Sequence, residues 1–249
     1  VAEGITEEQI AQLRGEGFTL VKSCVDPGTL EALRAEYLDA WNAVDAPEER
    51  LGLLRWPAFR RLLADTSVRA VPRSLFGGHL QLLDLWLTFQ PAARRWRRTP
   101  GAVRTERDWH RDLSFLDASP ARPLALNTLF FLDGTDGPAG ATVVLPGSHR
   151  ARRAAVGEHA TAPHADEVAV PMDPGDLLVF NSHLVHSRGR NDAARPRRGV
   201  AMLWGFWFLK PVDSHLPLCP AATAGASEEL LAVVGHRQPT VDQYLFEDF

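Results

Sequence analysis

Arg107-Asp108-Trp109-His110-Arg111-Asp112 is the stretch on which the reading of this 249-residue chain turns. In an extended strand, residues two apart point to the same face. Read as a strand, the segment therefore projects His110 and Asp112 side by side. An imidazole and a carboxylate held that way form two legs of a metal site, and a second histidine would complete it. A lone His-x-Asp triplet also occurs at ordinary strand ends, so the assignment depends on the rest of the chain.

Composition excludes several classes first. The chain is 45% hydrophobic and 23% charged, the balance of a globular domain rather than of a disordered or fibrous one. A formal charge of −4 gives no overall positive field to draw it to nucleic acid or an anionic membrane. No apolar run approaches the roughly 20 residues of a membrane span, and no charged-then-apolar leader is read at the N-terminus. A cytoplasmic location is the expectation. The two cysteines, Cys24 and Cys219, form neither a disulfide framework nor a zinc-like pair and are expected to be reduced.

Outward from the central stretch, the first third reads as helix with one early strand. Thr6-Glu7-Glu8-Gln9 is a capping box. Phe18-Thr19-Leu20-Val21 reads as a strand, and Asp26 with Pro27 opens a helix with Leu30, Leu33, Tyr37 and Trp41 on one apolar face. More amphipathic helix is expected between 48 and 75, broken at Pro57 and Pro72. This part, 1–78, reads as a packing layer without chemistry. From 79 to 210 the texture becomes strands divided by Gly/Pro turns: 79–90, 124–133, 142–145, 167–170, 176–180 and 198–209. A helical layer followed by such runs suggests an antiparallel sandwich or barrel packed on helices, in one domain, with 211–249 as a C-terminal loop and tail.

The remaining metal leg lies in Gly175-Asp176-Leu177-Leu178-Val179-Phe180-Asn181-Ser182-His183-Leu184-Val185-His186. His186 sits at the end of this stretch, where it can aim at a metal shared with a neighbouring strand, and His183 is the competing candidate. A 2-His-1-carboxylate face with open positions suits non-haem iron(II). Eleven residues after His186, Arg197 opens the last apolar run. A guanidinium entering a barrel interior needs an anionic partner, and a dicarboxylate supplies a bidentate one. Taken alone, the four-arginine stretch around it reads equally as a solvated turn.

These pieces, together with Gly140-Ala141-Thr142-Val143-Val144-Leu145-Pro146-Gly147-Ser148-His149 and the early Gly15-Glu16-Gly17-Phe18, resemble the phytanoyl-CoA dioxygenase family over most of the chain. That family consists of iron(II)- and 2-oxoglutarate-dependent oxygenases. The resemblance implies a mostly β fold, a double-stranded β-helix (jelly roll, cupin-like) with an α-helical layer. It implies His110, Asp112 and His186 on iron, which settles His186 over His183. It further implies Arg197 on the distal carboxylate of 2-oxoglutarate, and Asn127 is a second candidate for that cosubstrate. Implied too is oxidation of a C–H bond of a small molecule with O2, giving succinate and carbon dioxide, in natural-product metabolism. Halogenating relatives replace the carboxylate ligand by a small residue; Asp112 is present here, which argues for hydroxylation or oxidative cyclisation.

Arg111 departs from the family, standing where a smaller or amide residue is frequent. For the substrate, the expectation is an anionic or sugar-like molecule. It would be met by the arginine-rich loop 91–107 acting as a lid, with Trp96, Arg97 and Arg98, and by Arg111 and Trp204. Trp204 and Trp207, three apart, cannot both line a cavity. The rival reading is a metal-binding or sugar-binding jelly roll that turns over no 2-oxoglutarate.

Overall fold

A computed structural model describes residues 5–43, 49–92, 107–113, 123–151 and 161–237. Helix α1 (Glu7–Glu16) starts at the expected capping box, with the Thr6 side chain accepting from the Gln9 amide and the Gln9 side chain returning to Thr6. It ends at Gly17, whose φ of +87° is left-handed and where a Cβ would meet His149 Nδ1 at 2.4 Å. Only glycine satisfies both demands. Strand β1 (Phe18–Val21) follows, then α2 (Pro27–Ala43), with Asp26 Oδ1 accepting from the Thr29 amide at 3.0 Å.

After α2 in the chain come α3 (Pro57–Ala64) and α4 (Thr66–Phe76). Pro57 starts a helix as expected, but Pro72 does not end one: α4 runs through it. The break falls at Asp65 instead, where the carboxylate caps α4 by accepting from the Ser67 amide at 2.8 Å. Pro72 is buried, so packing offsets the hydrogen bond it cannot donate.

The strands are β2 (Leu80–Gln90), β3 (Ala125–Phe131), β4 (Thr142–Val144), β5 (Val168–Val170), β6 (Leu177–Asn181), β7 (His186–Arg188) and β8 (Arg197–Phe206). They form a five-stranded sheet in the order β1-β6-β3-β8-β2 and a three-stranded sheet in the order β5-β4-β7, with every pair antiparallel. A short helix, α5 (Glu228–Val233), closes the described chain near β2. This is the jelly roll with its helical layer.

Every residue of β3 and β6 is buried, which is why their sequences, ALNTLFF and LLVFN, lack the polar alternation of a half-exposed strand. One face of the large sheet meets the helices: Leu126, Phe130, Met202 and Trp204 belong to the same core as Leu33, Tyr37 and Phe59. The Tyr37 hydroxyl reaches through to the carbonyl oxygen of Thr88 at 2.6 Å. The other face looks into the barrel. Its register aligns Trp86 with Ala201, Thr88 with Gly199 and Gln90 with Arg197, and across β8 Asn127 with Leu203 and Leu129 with Ala201.

Both cysteines are free and buried, and burial pushes the Cys24 thiol up to about 12, so it is a packing residue. Among the described residues no helix is long and apolar enough to cross a membrane.

Candidate metal centre and cosubstrate cavity

The stretch 107–112 does not form the expected strand. His110 makes a single antiparallel bridge to His186, exchanging both backbone hydrogen bonds at 3.0 Å, and the chain turns directly afterwards. A directly opposed antiparallel pair puts both side chains on one face, so one bridge suffices to bring the two imidazoles together; their ring centroids are 4.3 Å apart. Asp112 is placed by the turn rather than by strand alternation, its amide donating to the Ser182 carbonyl at 3.1 Å. Its carboxylate lies 3.7 Å from His110 Nε2 and 3.8 Å from His186 Nε2. The potential ligand atoms of the three residues all fall within 4.8 Å of one another, and among the described residues no other such group forms.

The tautomers suit a metal. His110 Nδ1 faces the Asp108 carbonyl at 2.7 Å and His186 Nδ1 faces the Leu184 carbonyl at 3.0 Å. A carbonyl only accepts, so each Nδ1 carries the proton and each Nε2 lone pair is free to ligate. Burial pushes the His186 pKa below its usual value, and Asp112 only partly opposes this, so the ring is neutral near pH 7. Asn127 Nδ2 donates to Asp112 Oδ2 at 2.7 Å and to Ser182 Oγ at 3.0 Å. The Asn127 amide is thus spent on orienting the carboxylate, while its Oδ1 stays buried without a partner.

His183 is excluded from this group by its burial elsewhere. It is fully enclosed, with neither ring nitrogen hydrogen-bonded, and its neighbours are Arg111 and His149. The Pro146–His149 stretch proves structural: Ser148 Oγ accepts from the Val185 amide at 2.9 Å, anchoring the residue before His186. Asp176 is structural as well, tying the Ser23 amide (3.1 Å) and Lys22 (2.7 Å) at the end of β1.

A cavity of about 340 Å³ opens from this cluster and is lined by His110, Asp112, His186, Asn127, Arg197 and residues of β2 and β8. Arg197 sits at its buried end, only 3% exposed. One of its amino groups meets the Gly140 carbonyl and its guanidinium stacks 4.8 Å over the Phe131 ring, but its Nε has no partner. No carboxylate pairs with it among the described residues. Burial, and secondarily Arg188, push its pKa down to about 10. A buried guanidinium left without an anion is costly, and a dicarboxylate is the kind of molecule that offsets the cost. Gly199, two residues on, keeps the space open, since a Cβ there would meet Thr88 Oγ1 at 2.6 Å and the Phe131 ring at 2.8 Å. The donor set and this orphaned cation together fit a divalent metal with an anionic chelator.

The model of the phytanoyl-CoA dioxygenase (PhyH) family matches residues 81–199, a span that contains all of these groups. That match covers a little less than half of the chain. Among curated members of wider kinship, dioxygenase trt7 of Aspergillus terreus is 28% identical over 234 residues, covering 85% of this chain and 78% of that one. Dioxygenase andF of Emericella variicolor is 38% identical over 78 residues, but the match spans only 30% of this chain and 25% of that protein. Of solved structures, HygX from Streptomyces hygroscopicus with nickel and 2-oxoglutarate bound superposes with a TM-score of 0.63 at 22% identity, over 83% of this chain and 89% of that one. The carbocyclase SnoK from nogalamycin biosynthesis gives 0.65 at 20% identity, over 86% and 90%. At such identities the likeness establishes the shared jelly roll.

The expected substrate residues fare differently. Trp96, Arg97 and Arg98 lie outside the described residues, as does most of the loop 91–107. Arg111 does not line the cavity. It lies between His110 and Asp112 in sequence but points the other way, donating to the carbonyls of Ser148 (3.2 Å) and Ala151 (3.1 Å). Trp204 is fully buried, pairs with Leu126 on the helical face of the sheet, and donates its indole N–H to Thr128 Oγ1 at 2.8 Å. It also lies off the cavity. Among the lining residues that the sequence reading did not single out are Trp41, Trp86, Phe89 and Asp108. Asp108 could have been found by counting two back from His110; Trp41 carried no signal beyond a helical apolar face.

Proposed function

We propose that this protein is a non-haem iron(II)/2-oxoglutarate-dependent oxygenase that oxidises a C–H bond of a small molecule in natural-product biosynthesis, by hydroxylation or oxidative cyclisation. The observation that carries the reading is the meeting, in one cavity, of a two-histidine, one-carboxylate cluster with a buried arginine that has no anion among the described residues. Either half alone has structural explanations; together they form a metal face and an anion anchor. The match of residues 81–199 to the phytanoyl-CoA dioxygenase family model and the dioxygenase names of the relatives support it.

His110, Asp112 and His186 would hold the metal through Nε2, a carboxylate oxygen and Nε2, leaving coordination positions open. Arg197 Nε would receive the distal carboxylate of 2-oxoglutarate, and Asn127 would hold Asp112 in place. When bound, iron(II) with 2-oxoglutarate and O2 supplies an oxidant able to take hydrogen from a C–H bond, with succinate and carbon dioxide as coproducts. The protein's part is to aim both Nε2 atoms at the metal through the Nδ1 contacts with the Asp108 and Leu184 carbonyls, to line the cavity wall with Leu129, Phe180 and Ala201, and to present one C–H to the metal face. The arginines of 91–107 favour an anionic or sugar-like portion on the substrate.

Succinate release from 2-oxoglutarate under iron(II) and air, abolished in Asp112→Ala, tests the reading. A protein that binds the metal and sugars yet forms no succinate would instead be a non-oxygenase jelly roll.

A further inference from the structure

The outer half of the cavity is aromatic. Trp41 on α2 and Phe89 on β2 stand at its rim with ring centroids 5.3 Å apart, and Trp86 lies on the inner face of the same strand. Because β2 is the last strand of its sheet, the cavity reaches over that edge and collects side chains from both faces: Trp86 and Thr88 from inside, Leu87 and Phe89 from the helical side. Trp41 is 38% exposed although its helix mates Leu30, Leu33 and Tyr37 are buried. Large exposed apolar side chains facing a cavity mark a binding surface more often than a packing fault. The only described charges at this rim, Asp108 and Arg188, are joined to each other at 2.7 Å. The pair as a whole is net neutral.

The geometry points to a substrate whose bulk, apart from any polar portion, is a flat, uncharged, largely apolar ring system, held at the mouth by Trp41, Phe89 and Trp86. This rests on the oxygenase reading for the word substrate, while the recognition surface stands on these residues alone. Such a ring meets the Trp41 and Phe89 faces in the stacked or tilted arrangements that aromatic groups favour. Its far end then projects inward past Trp86 to the His110–Asp112–His186 cluster. A fully hydroxylated sugar would leave its hydroxyls against indole and phenyl carbon, without partners on this wall.

The test is equilibrium dialysis of 1-naphthalenemethanol, cyclohexanemethanol and methyl glucoside against the metal-free 249-residue chain. The expected order of affinity is naphthalenemethanol, then cyclohexanemethanol, with methyl glucoside weakest. Trp41→Ala should weaken naphthalenemethanol roughly tenfold, and Trp86→Leu similarly. Leu38→Ala is the control: it lies one turn earlier on α2, is 50% exposed and is absent from the cavity wall. Because Trp41 is at the surface, its replacement should leave the fold intact, which circular dichroism checks. Equal binding to the parent and Trp41→Ala, or preference for methyl glucoside, overturns the inference. Succinate formation is scored separately. Its absence alongside Trp41-dependent binding sinks the oxygenase reading and leaves the ring-binding surface standing.

Discussion

Arg197 and Arg198 are chain neighbours on β8, yet they face opposite sides of the same sheet and live in opposite chemistries. Arg198 looks toward the helices, where Asp133 takes it in a bidentate grip at 2.7 and 2.8 Å and the Tyr37 ring lies 5.9 Å below. Hydrogen bonding to Asp133 pushes its pKa up. Arg197 looks into the barrel, more deeply buried, with an unpartnered Nε and a pKa pushed down to about 10 by that burial. The helical face of the sheet is satisfied by its own side chains. The barrel face carries orphans at Arg197, Asn127 Oδ1 and Thr88 Oγ1. Folding alone accounts for the first face, whereas the second is complete only with something bound.

The sharpest way to break this contrast is at the metal face. His110→Ala and His186→Ala should each lose iron binding by two orders of magnitude or more, while His183→Ala should bind iron like the parent. Titration of the three variants with iron(II) under anaerobic conditions decides it. Loss in His183→Ala with retention in His186→Ala would reverse the assignment of the cavity, since His183 lies in the packed interior beside Arg111 and His149.

Next in size is the arginine pair itself. Arg197→Gln should raise the 2-oxoglutarate dissociation constant more than tenfold with iron binding unchanged, because a buried charge pair loses several kcal/mol when one partner goes. Arg198→Gln should do the reverse: lower the unfolding free energy by roughly 1–2 kcal/mol through the lost Asp133 bonds and leave 2-oxoglutarate affinity alone. Calorimetric binding and urea unfolding of both variants measure the two effects. The same fall in 2-oxoglutarate affinity in both variants would mean that the two faces are not chemically distinct.

How much of this could be read without coordinates follows the range of the interactions. Local chemistry was legible: the Thr6 capping box, the Asp26–Pro27 helix start and the strand at Phe18–Val21 are set by neighbours in sequence. Long-range placement was legible only where parity constrained it. His110 and Asp112 do end on one site, but through a single bridge and a turn rather than the strand alternation that suggested it. Arg111 between them turns away from the cavity to the carbonyls of Ser148 and Ala151. Trp41 was out of reach, because a helical apolar face looks the same whether it packs on a core or borders a cavity. Pro72 misled because tertiary burial outweighs a missing hydrogen bond.

Asn127 tests whether the orphaned face supports the metal at one remove. Its Nδ2 holds Asp112 Oδ2 at 2.7 Å, so Asn127→Ala should raise the iron dissociation constant tenfold to a hundredfold. The 2-oxoglutarate affinity of the iron-loaded variant should fall far less than in Arg197→Gln. Measuring both constants on one preparation separates orientation of the carboxylate from direct contact with the cosubstrate. A selective loss of 2-oxoglutarate with iron unchanged would move Asn127 to the cosubstrate.

The smallest expected effect is on stability against pH, and it concerns the packed interior around His183. Burial, reinforced by the nearby charge of Arg111 and then by His149, holds the His183 pKa below its unfolded value near 6.5. The His149 pKa is likewise pushed down, chiefly by burial. The unfolded chain therefore binds more protons than the folded one once the pH drops to that value. Stability rises with pH wherever this holds, so the contribution of both histidines is fully present above about pH 6.5 and is lost as the pH falls below it. Urea midpoints of the metal-free protein at pH 8 and pH 5.5 should show this loss, and His183→Leu should show less of it because one of the two groups no longer titrates. Comparing the two proteins cancels the titration of His186 and of the carboxylates, which they share. An identical pH dependence in both would mean that the His183 pKa is the same in the folded and the unfolded chain. The ring would then be solvated in the folded protein much as in the unfolded one, and not part of a packed interior.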